Sequence, residues 1–368
     1  MTAIHPLIDF RPALTLGEGV GRYALELGRA LSSRSDVELR LFGATWAPAP
    51  LAREVRGWPH VRLFRVRVPS KALLRGASGL GLGAERFFRG GADVTHHTQY
   101  RRLPTRLPEV ATLHDLVYLD STRYVAEATA RRMSQFARDV ARTARIIVTP
   151  SVSVAGEVAE RLSVPRERVV PAPLGVDHVL GWPRTSHESW TERGPYVVTV
   201  ARIETRKNHL GVLRALESLG ADAPRWLVAG PRGEGAEDFV RAVERSPLRD
   251  KIEFLGRVPG VELRSLVEGA LAFLLVPFDE GFGLGPLEAM RLGTPAVTSD
   301  VPVVREVAGG GATLVEPLDH GGIGSALQGV LGERQNASTR GLAHAKTLTW
   351  AATASATVGA YRAALDGS

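Results

Sequence analysis

The chain contains no cysteine, which excludes disulfides, thiolate nucleophiles and cysteine-ligated metals. Nowhere do eighteen apolar residues run together, and the N-terminal "MTAIHPLIDF" lacks a basic region followed by a long apolar stretch. A membrane-spanning helix is therefore not expected, and the location expected is cytoplasmic. Internal repeats and low-complexity segments are also lacking. Acidic charge is scarce in the first half only: residues 1–180 carry 26 Lys+Arg against 17 Asp+Glu, a net +9, whereas residues 181–368 carry 20 against 22, a net −2. The excess gathers in "VRLFRVRVPSKALLRG", "AERFFRGG", "YRRLPTRLP" and "ARRMSQFARDVARTAR". Such stretches attract phosphate-rich or anionic lipid surfaces, or are simply a solvated arginine-rich face. Nucleic acid is disfavoured because no reader motif accompanies the charge.

What is present is a long alternation of strand and helix. A chain of 368 residues with 44% hydrophobic content can bury two cores. Short apolar runs, "VELRLFG", "VRLFRVRV", "DVTHHT", "EVATLHDL", "RIIVTPS" and "RVVPAPLG", then "YVVTVAR", "RWLVAG", "KIEFLG", "LAFLLVP", "PAVTSD" and "ATLVEP", are separated by helical segments. That pattern predicts α/β architecture with parallel sheets, in two doubly wound, Rossmann-like domains. The polar stretch with Pro and Gly at 178–194 is the expected linker, dividing domains 1–178 and 179–350. Ligands of open parallel sheets lie beyond the carboxyl ends of strands, and two such domains facing a central cleft would double that crevice.

Several strand ends carry unusual residues. In "PFDEGFGLGPLEAMRLGTPAV", Glu280 and Glu288 stand eight positions apart across a glycine-rich turn. Pro286 suits the first position of a short helix and Gly293 the residue just past its end. The helix amides would point at Gly281, Phe282, Gly283 and Leu284, where glycine lets a ligand approach the backbone. In "VTVARIETRKNHL", Arg202 ends a strand and Lys207 precedes a helix, which suits a diphosphate. Gly17, Gly19 and Gly21 precede a helix, but Gly-x-Gly-x-Gly is not the dinucleotide fingerprint, so nicotinamide binding is disfavoured. His114 and Asp115 close the strand run "ATLHDL", where a His–Asp pair can position a sugar hydroxyl. The adjacent His96 and His97 point to opposite faces of a strand and cannot share a metal, so both are expected in the core or at its rim.

With these segments in order, the chain resembles the retaining glycosyltransferases of family four, which have the GT-B fold. "GVGRYALELGRAL", "HDLVYLD", "IIVTPSVSVAGEVAERLSVPRERVVPAPLGVD", "VARIETRKNHLGVLRAL", "FLGRVPGVELRSLVEGA" and "DEGFGLGPLEAMRLGTPAVTSDVPVVREVAGGGATLVEP" follow that family's order, the last as its Glu-x7-Glu signature. The resemblance implies a hexose moved from a nucleotide-diphospho-sugar of GDP-mannose or UDP-glucose type to a hydroxyl acceptor on the N-terminal side; the net +9 of that half adds the expectation of an anionic or lipid-linked acceptor and of peripheral association with an anionic membrane. It gives Glu280 to the donor sugar hydroxyls, Glu288 to the ribose, and Arg202 with Lys207 to the diphosphate. Gly17, Gly19 and Gly21 would cover the phosphate and sugar, His114 would stand beside the reacting sugar, and Gly256, Arg257 and Val258 would read the base. No Asp-x-Asp metal signature is needed if Arg202 and Lys207 take the metal's place, so transfer without a metal or cofactor is expected, and a final helix, about 351–368, is expected to return to the N-terminal domain. Gly285 and Arg305 stand where proline is usual. A nucleotide-sugar epimerase and a non-catalytic nucleotide-sugar-binding protein are the alternatives.

Overall fold

The computed structural model describes residues 3–15, 19–46, 48, 50–119, 124–184, 190, 192 and 194–367. The chain divides into two compact units, Met1–Leu119 with Ala128–Gly175 and Trp350–Ser368, and Asp120–Glu127 with Val176–Thr349. The second unit thus begins just ahead of the linker read from the sequence. Its start is held there by the Val176 N–H, which donates to the Leu348 carbonyl at 3.1 Å.

In the first unit seven strands, β1 (Pro6–Asp9), β2 (Leu39–Phe42), β3 (Val61–Phe64), β4 (Val94–His97), β5 (Glu109–Thr112), β6 (Ile146–Thr149) and β7 (Val169–Pro171), form one sheet in the order β3-β2-β1-β4-β5-β6-β7. In the second, β8 (Tyr196–Val200), β9 (Arg225–Ala229), β10 (Ile252–Gly256), β11 (Ala272–Leu275), β12 (Ala296–Ser299) and β13 (Thr313–Val315) run in the order β10-β9-β8-β11-β12-β13. Every named pairing is parallel. Strands covered by helices on both faces need apolar side chains on both, which is why β1, β2, β6, β11 and β12 are buried throughout. Strand order reverses between β1 and β4, and again between β8 and β11. Ligands of such sheets lodge outside the carboxyl ends at these two places.

Packing fixes both reversal points. The second core centres on Trp226 and Phe239, with the Trp226 indole N–H donating to Thr199 at 2.9 Å. In the first, Phe42, Leu74, Phe88 and Leu103 form a cluster against Phe64 and Phe87, whose rings stack at 4.6 Å. Helix Trp350–Asp366 belongs to the first unit. There the Tyr361 hydroxyl meets His96 Nδ1 at 2.8 Å while His96 Nε2 meets Thr112 at 2.7 Å. His97 lies fully buried on Glu109 at 2.7 Å, so both adjacent histidines are core residues with separate partners.

Candidate active site

The second unit's reversal point carries a dense set of charges. Beyond β8 the chain is laced to its neighbours: the Ala201 N–H donates to Ala229 at 2.9 Å, Ile203 to Pro231 at 3.0 Å, and Gly230 to Gly256 at 2.7 Å. Gly230 has φ +147°, and a Cβ there would stand 1.8 Å from the Ala201 carbonyl oxygen, so only glycine allows this approach. Arg202 leaves that junction exposed, its aliphatic stem lying over Gly233. A short 3-10 turn, Thr205–Lys207, then runs into helix His209–Ser218. Asn208 makes the corner in a left-handed conformation with φ +54°. Its side chain accepts from the Gly211 N–H at 3.2 Å, capping the helix, and donates to the Pro317 carbonyl at 2.8 Å. Lys207 is therefore presented from a corner tied on two sides.

The loop after β11 meets that turn directly. The Phe278 N–H donates to the Arg206 carbonyl at 2.9 Å, and the Arg206 guanidinium to the Asp279 carbonyl at 3.3 Å. Lys207 Nζ contacts Glu280 Oε1, and Arg206 stands 3.8 Å from Oε2. Burial works to raise the Glu280 carboxyl, but the Lys207 charge, Arg206 and the Lys207 hydrogen bond outweigh it and hold the group below its ordinary range. The sequence pairs Lys207 with Arg202 for a diphosphate; the structure also brings Lys207 to Glu280, with Arg206, which the sequence did not single out, as a third member. Its signal was plain in "TRKNH", where a second cation adjoins Lys207.

Helix Leu284–Arg291 follows, capped by Gly283 at φ +86°. It starts two residues before the position expected, with Pro286 third in the helix rather than first. The first four helix N–H groups lack intrahelical acceptors, so proline is tolerated there as well. Gly293 does end the helix in a left-handed conformation, with its N–H on Met290 at 3.0 Å and that of Thr294 on Ala289 at 2.9 Å. Phe282 and Gly283 are buried and anchor the loop, while Gly281 and Leu284 beside them are half-buried. At Gly285 a Cβ would approach Phe273 Cζ to 3.0 Å, so the small residue seats the helix closely on β11.

Glu288, one turn into the helix, accepts from or shares a proton with His178 at 3.0 Å. His178 comes from the 3-10 turn Asp177–Gly181 and packs edge-on to Trp182 at 5.6 Å. Nothing in its spacing singled it out, because it lies 110 positions from its partner. Gly256, at φ +61°, ends β10, with Arg257 exposed and Val258 half-buried beyond it.

The remaining expected residues belong to the first unit. Gly19, with φ +51°, caps helix Val20–Ser32, Gly21 is buried in its first turn, and Gly17 lies outside the described residues. His114 follows β5 and sits edge-on to Tyr23 at 4.9 Å. Its Nε2 meets the Thr98 carbonyl at 3.0 Å, which requires the proton on Nε2 and leaves Nδ1 an acceptor. Burial lowers the His114 pKa, against smaller opposing effects of Thr98 and Asp115, so the ring is neutral at pH 7. Beside it Asp115 Oδ1 is buried and without a hydrogen bond among the described residues. An orphaned carboxylate oxygen next to a neutral imidazole is suited to a hydroxyl ligand.

Both halves of the sequence match known families. The model "Glycosyltransferase Family 4" matches residues 17–180 and "Glycosyl transferases group 1" residues 185–339. The chain is a glycosyltransferase of family four. It is 28% identical to O-antigen chain mannosyltransferase B of Escherichia coli, over 94% of this chain and 96% of that one. It is also 28% identical to D-inositol 3-phosphate glycosyltransferase of Nocardia farcinica, over 99% and 88%. Among solved structures, sucrose-phosphate synthase of Thermosynechococcus elongatus superposes with a TM-score of 0.73 at 20% identity over all of both chains. Anabaena HepE in complex with UDP and glucose does so with 0.72 at 15%, over 97% of this chain and 98% of that one. These likenesses give the fold as GT-B. No helix among the described residues is long and apolar enough to cross a membrane.

Proposed function

We propose that the protein transfers a hexose, with retention of anomeric configuration and without a metal, from a nucleotide-diphospho-sugar to a hydroxyl acceptor in polysaccharide or glycoconjugate biosynthesis. The observation that carries this reading is Glu280, held ionised by Lys207 and Arg206 at the carboxyl ends of β8 and β11. A buried carboxylate is a strong acceptor for sugar hydroxyls, and the cations around it, with Arg202, suit the diphosphate. Glu288, oriented by His178, is assigned to the ribose, and Gly256 to Val258 to the base. His114 and the glycines at 17, 19 and 21 are assigned to the donor on the family resemblance. Mannose is the sugar to test first, because the relative that aligns over nearly the whole chain is a mannosyltransferase.

In the step proposed, the anomeric C–O bond to the diphosphate breaks and its electron pair stays on the phosphate oxygen. The acceptor oxygen bonds to the anomeric carbon from the same face, and its proton passes to that phosphate oxygen. Negative charge grows on the diphosphate as positive charge grows on the sugar ring, so fixed cations near the former stabilise the transition state. The acceptor is read as anionic, and the positive first unit as a peripheral contact with an anionic membrane face.

The test is thermal-shift screening with nucleoside diphosphates, since a ligand binding only the folded chain raises stability with concentration. It is followed by incubation with GDP-mannose or UDP-glucose alone. An unchanged donor, apart from slow hydrolysis, fits a transferase awaiting its acceptor. Conversion to an isomeric nucleotide sugar would make the protein an epimerase, and no stabilisation by any nucleoside diphosphate would remove the reading.

A further inference from the structure

The first unit has its own reversal point, and a cavity of about 710 Å³ opens there. Its floor is Leu74 and Leu103, members of the cluster that includes Phe42 and Phe88, so it is backed by packed core. Its walls carry Arg11, Lys71, Arg75, Arg101, Arg102 and Arg106, and among the described residues no lining residue is acidic. Arg11 follows β1, the last three follow β4, and Lys71 and Arg75 come from helix Ser70–Gly79.

These cations are not equivalent. Arg11 is buried and bound by two hydrogen bonds of 2.7 Å to Asp9, which Gln99 also holds at 2.7 Å. Arg102 is bound to Glu109 at 3.0 Å, and Arg106 donates to the Gly81 carbonyl at 2.8 Å, closing one side of the cavity. Lys71, Arg75 and Arg101 have no carboxylate partner among the described residues, and all three are exposed. Three uncompensated cations around one concavity give it a positive potential that attracts an anion. Leu80 and Leu82, 76% and 40% exposed, continue from the same helix, and Leu82 lines the cavity, so apolar surface adjoins the charge.

We infer that this cavity binds the phosphate or diphosphate group of the acceptor, through Lys71, Arg75 and Arg101. The inference rests on reading the chain as a glycosyltransferase with an anionic acceptor. The phosphate is either that of a soluble phosphorylated sugar or that of a lipid, whose chain would meet Leu80 and Leu82.

The absence of cysteine makes the test simple, because Leu80→Cys can be labelled at one position with an environment-sensitive fluorophore. The labelled protein is titrated with inorganic diphosphate, and separately with phosphatidylcholine vesicles with and without phosphatidic acid. A saturable response is expected, weakened at least about tenfold by combined Lys71→Ala, Arg75→Ala and Arg101→Ala, given the strength of hydrogen bonds to charged groups. Arg202→Ala should leave it unchanged. Response to diphosphate assigns a soluble phosphate, and response confined to the doped vesicles assigns a lipid-borne one; both support the cavity. No response to either probe, or equal response in the triple variant, overturns it. Failure of the donor reading is visible separately, as loss of stabilisation by nucleoside diphosphates in the unsubstituted chain.

Discussion

Glu280 and Glu288 stand eight positions apart, yet their surroundings differ, as the separate roles proposed for them require. Lys207 and Arg206 surround Glu280, whereas His178 holds Glu288. Glu280→Gln should lower turnover by about 10²–10³ while nucleoside diphosphate binding survives. Glu288→Gln should weaken that binding itself, by about tenfold. Equal effects of the two on nucleoside diphosphate affinity would reject the division. Glu280 also sets a pH dependence. Its pKa is lowered from 4.5 in the folded chain, so the pair with Lys207 contributes fully above that value and its contribution is lost as pH falls below it. Lys207→Met, which removes the hydrogen-bonded cation from the buried carboxylate and leaves Arg206 at 3.8 Å, should cost about 2 kcal/mol at neutral pH. That cost should shrink below pH 4.5, as measured by urea unfolding. The acids were legible in the sequence because their spacing is local. Arg206 and His178 were not singled out, since their roles depend on which strand ends the sheet order brings together.

At the scale of elements, strands were the most legible feature. Each apolar run singled out contains an observed strand, because a strand buried on both faces must be written in Val, Ile and Leu. Helix starts were less so: Pro286 fits the third helical position as well as the first, and local chemistry alone does not choose. Close backbone approaches were invisible. Gly230→Ala would force a Cβ against the Ala201 carbonyl, and the variant should lose about 3 kcal/mol or more together with donor binding. Wild-type stability in that variant would show the junction to be slack. The joint between β4 and helix Trp350–Asp366 is a second such element. Burial, then the charges of His97 and His114, pushes His96 down to about 3 from 6.5. The unfolded chain therefore takes up a proton across that window and the folded one does not. Stability is retained above pH 6.5 and falls by a few kcal/mol as pH drops toward 3, at about 1.4 kcal/mol per unit. His96→Gln should lower stability at pH 7 and flatten that slope; an unchanged slope would place the titration elsewhere.

Across the whole molecule, one topology is used twice and loaded with opposite chemistry. At the second unit's reversal point acids and bases are matched, Glu280 against Lys207 and Arg206, Glu288 against His178. At the first unit's, cations exceed acids, in keeping with +9 over residues 1–180 and −2 over the rest. Short-range, partly buried contacts are weakly screened, whereas an exposed field decays over about 10 Å at 0.1 M salt. Nucleoside diphosphate affinity should therefore change little as salt is raised, while association with anionic vesicles falls steeply. The residues that carry that association follow from their partners. Arg62 donates to the Arg89 carbonyl at 2.7 Å and Arg65 to the Thr45 carbonyl at 3.0 Å, so both also serve the fold. Arg67, Lys71 and Arg75 have no ion pair among the described residues and are the ones to neutralise. Each cation near an anionic surface contributes about 1 kcal/mol, so the triple alanine variant should lose on the order of a hundredfold in vesicle partitioning at low salt. Its thermal shift with nucleoside diphosphate should match that of the unsubstituted chain. If the unsubstituted protein fails to sediment with anionic vesicles even at low salt, the positive unit is not a membrane contact, and its charge serves soluble anions alone.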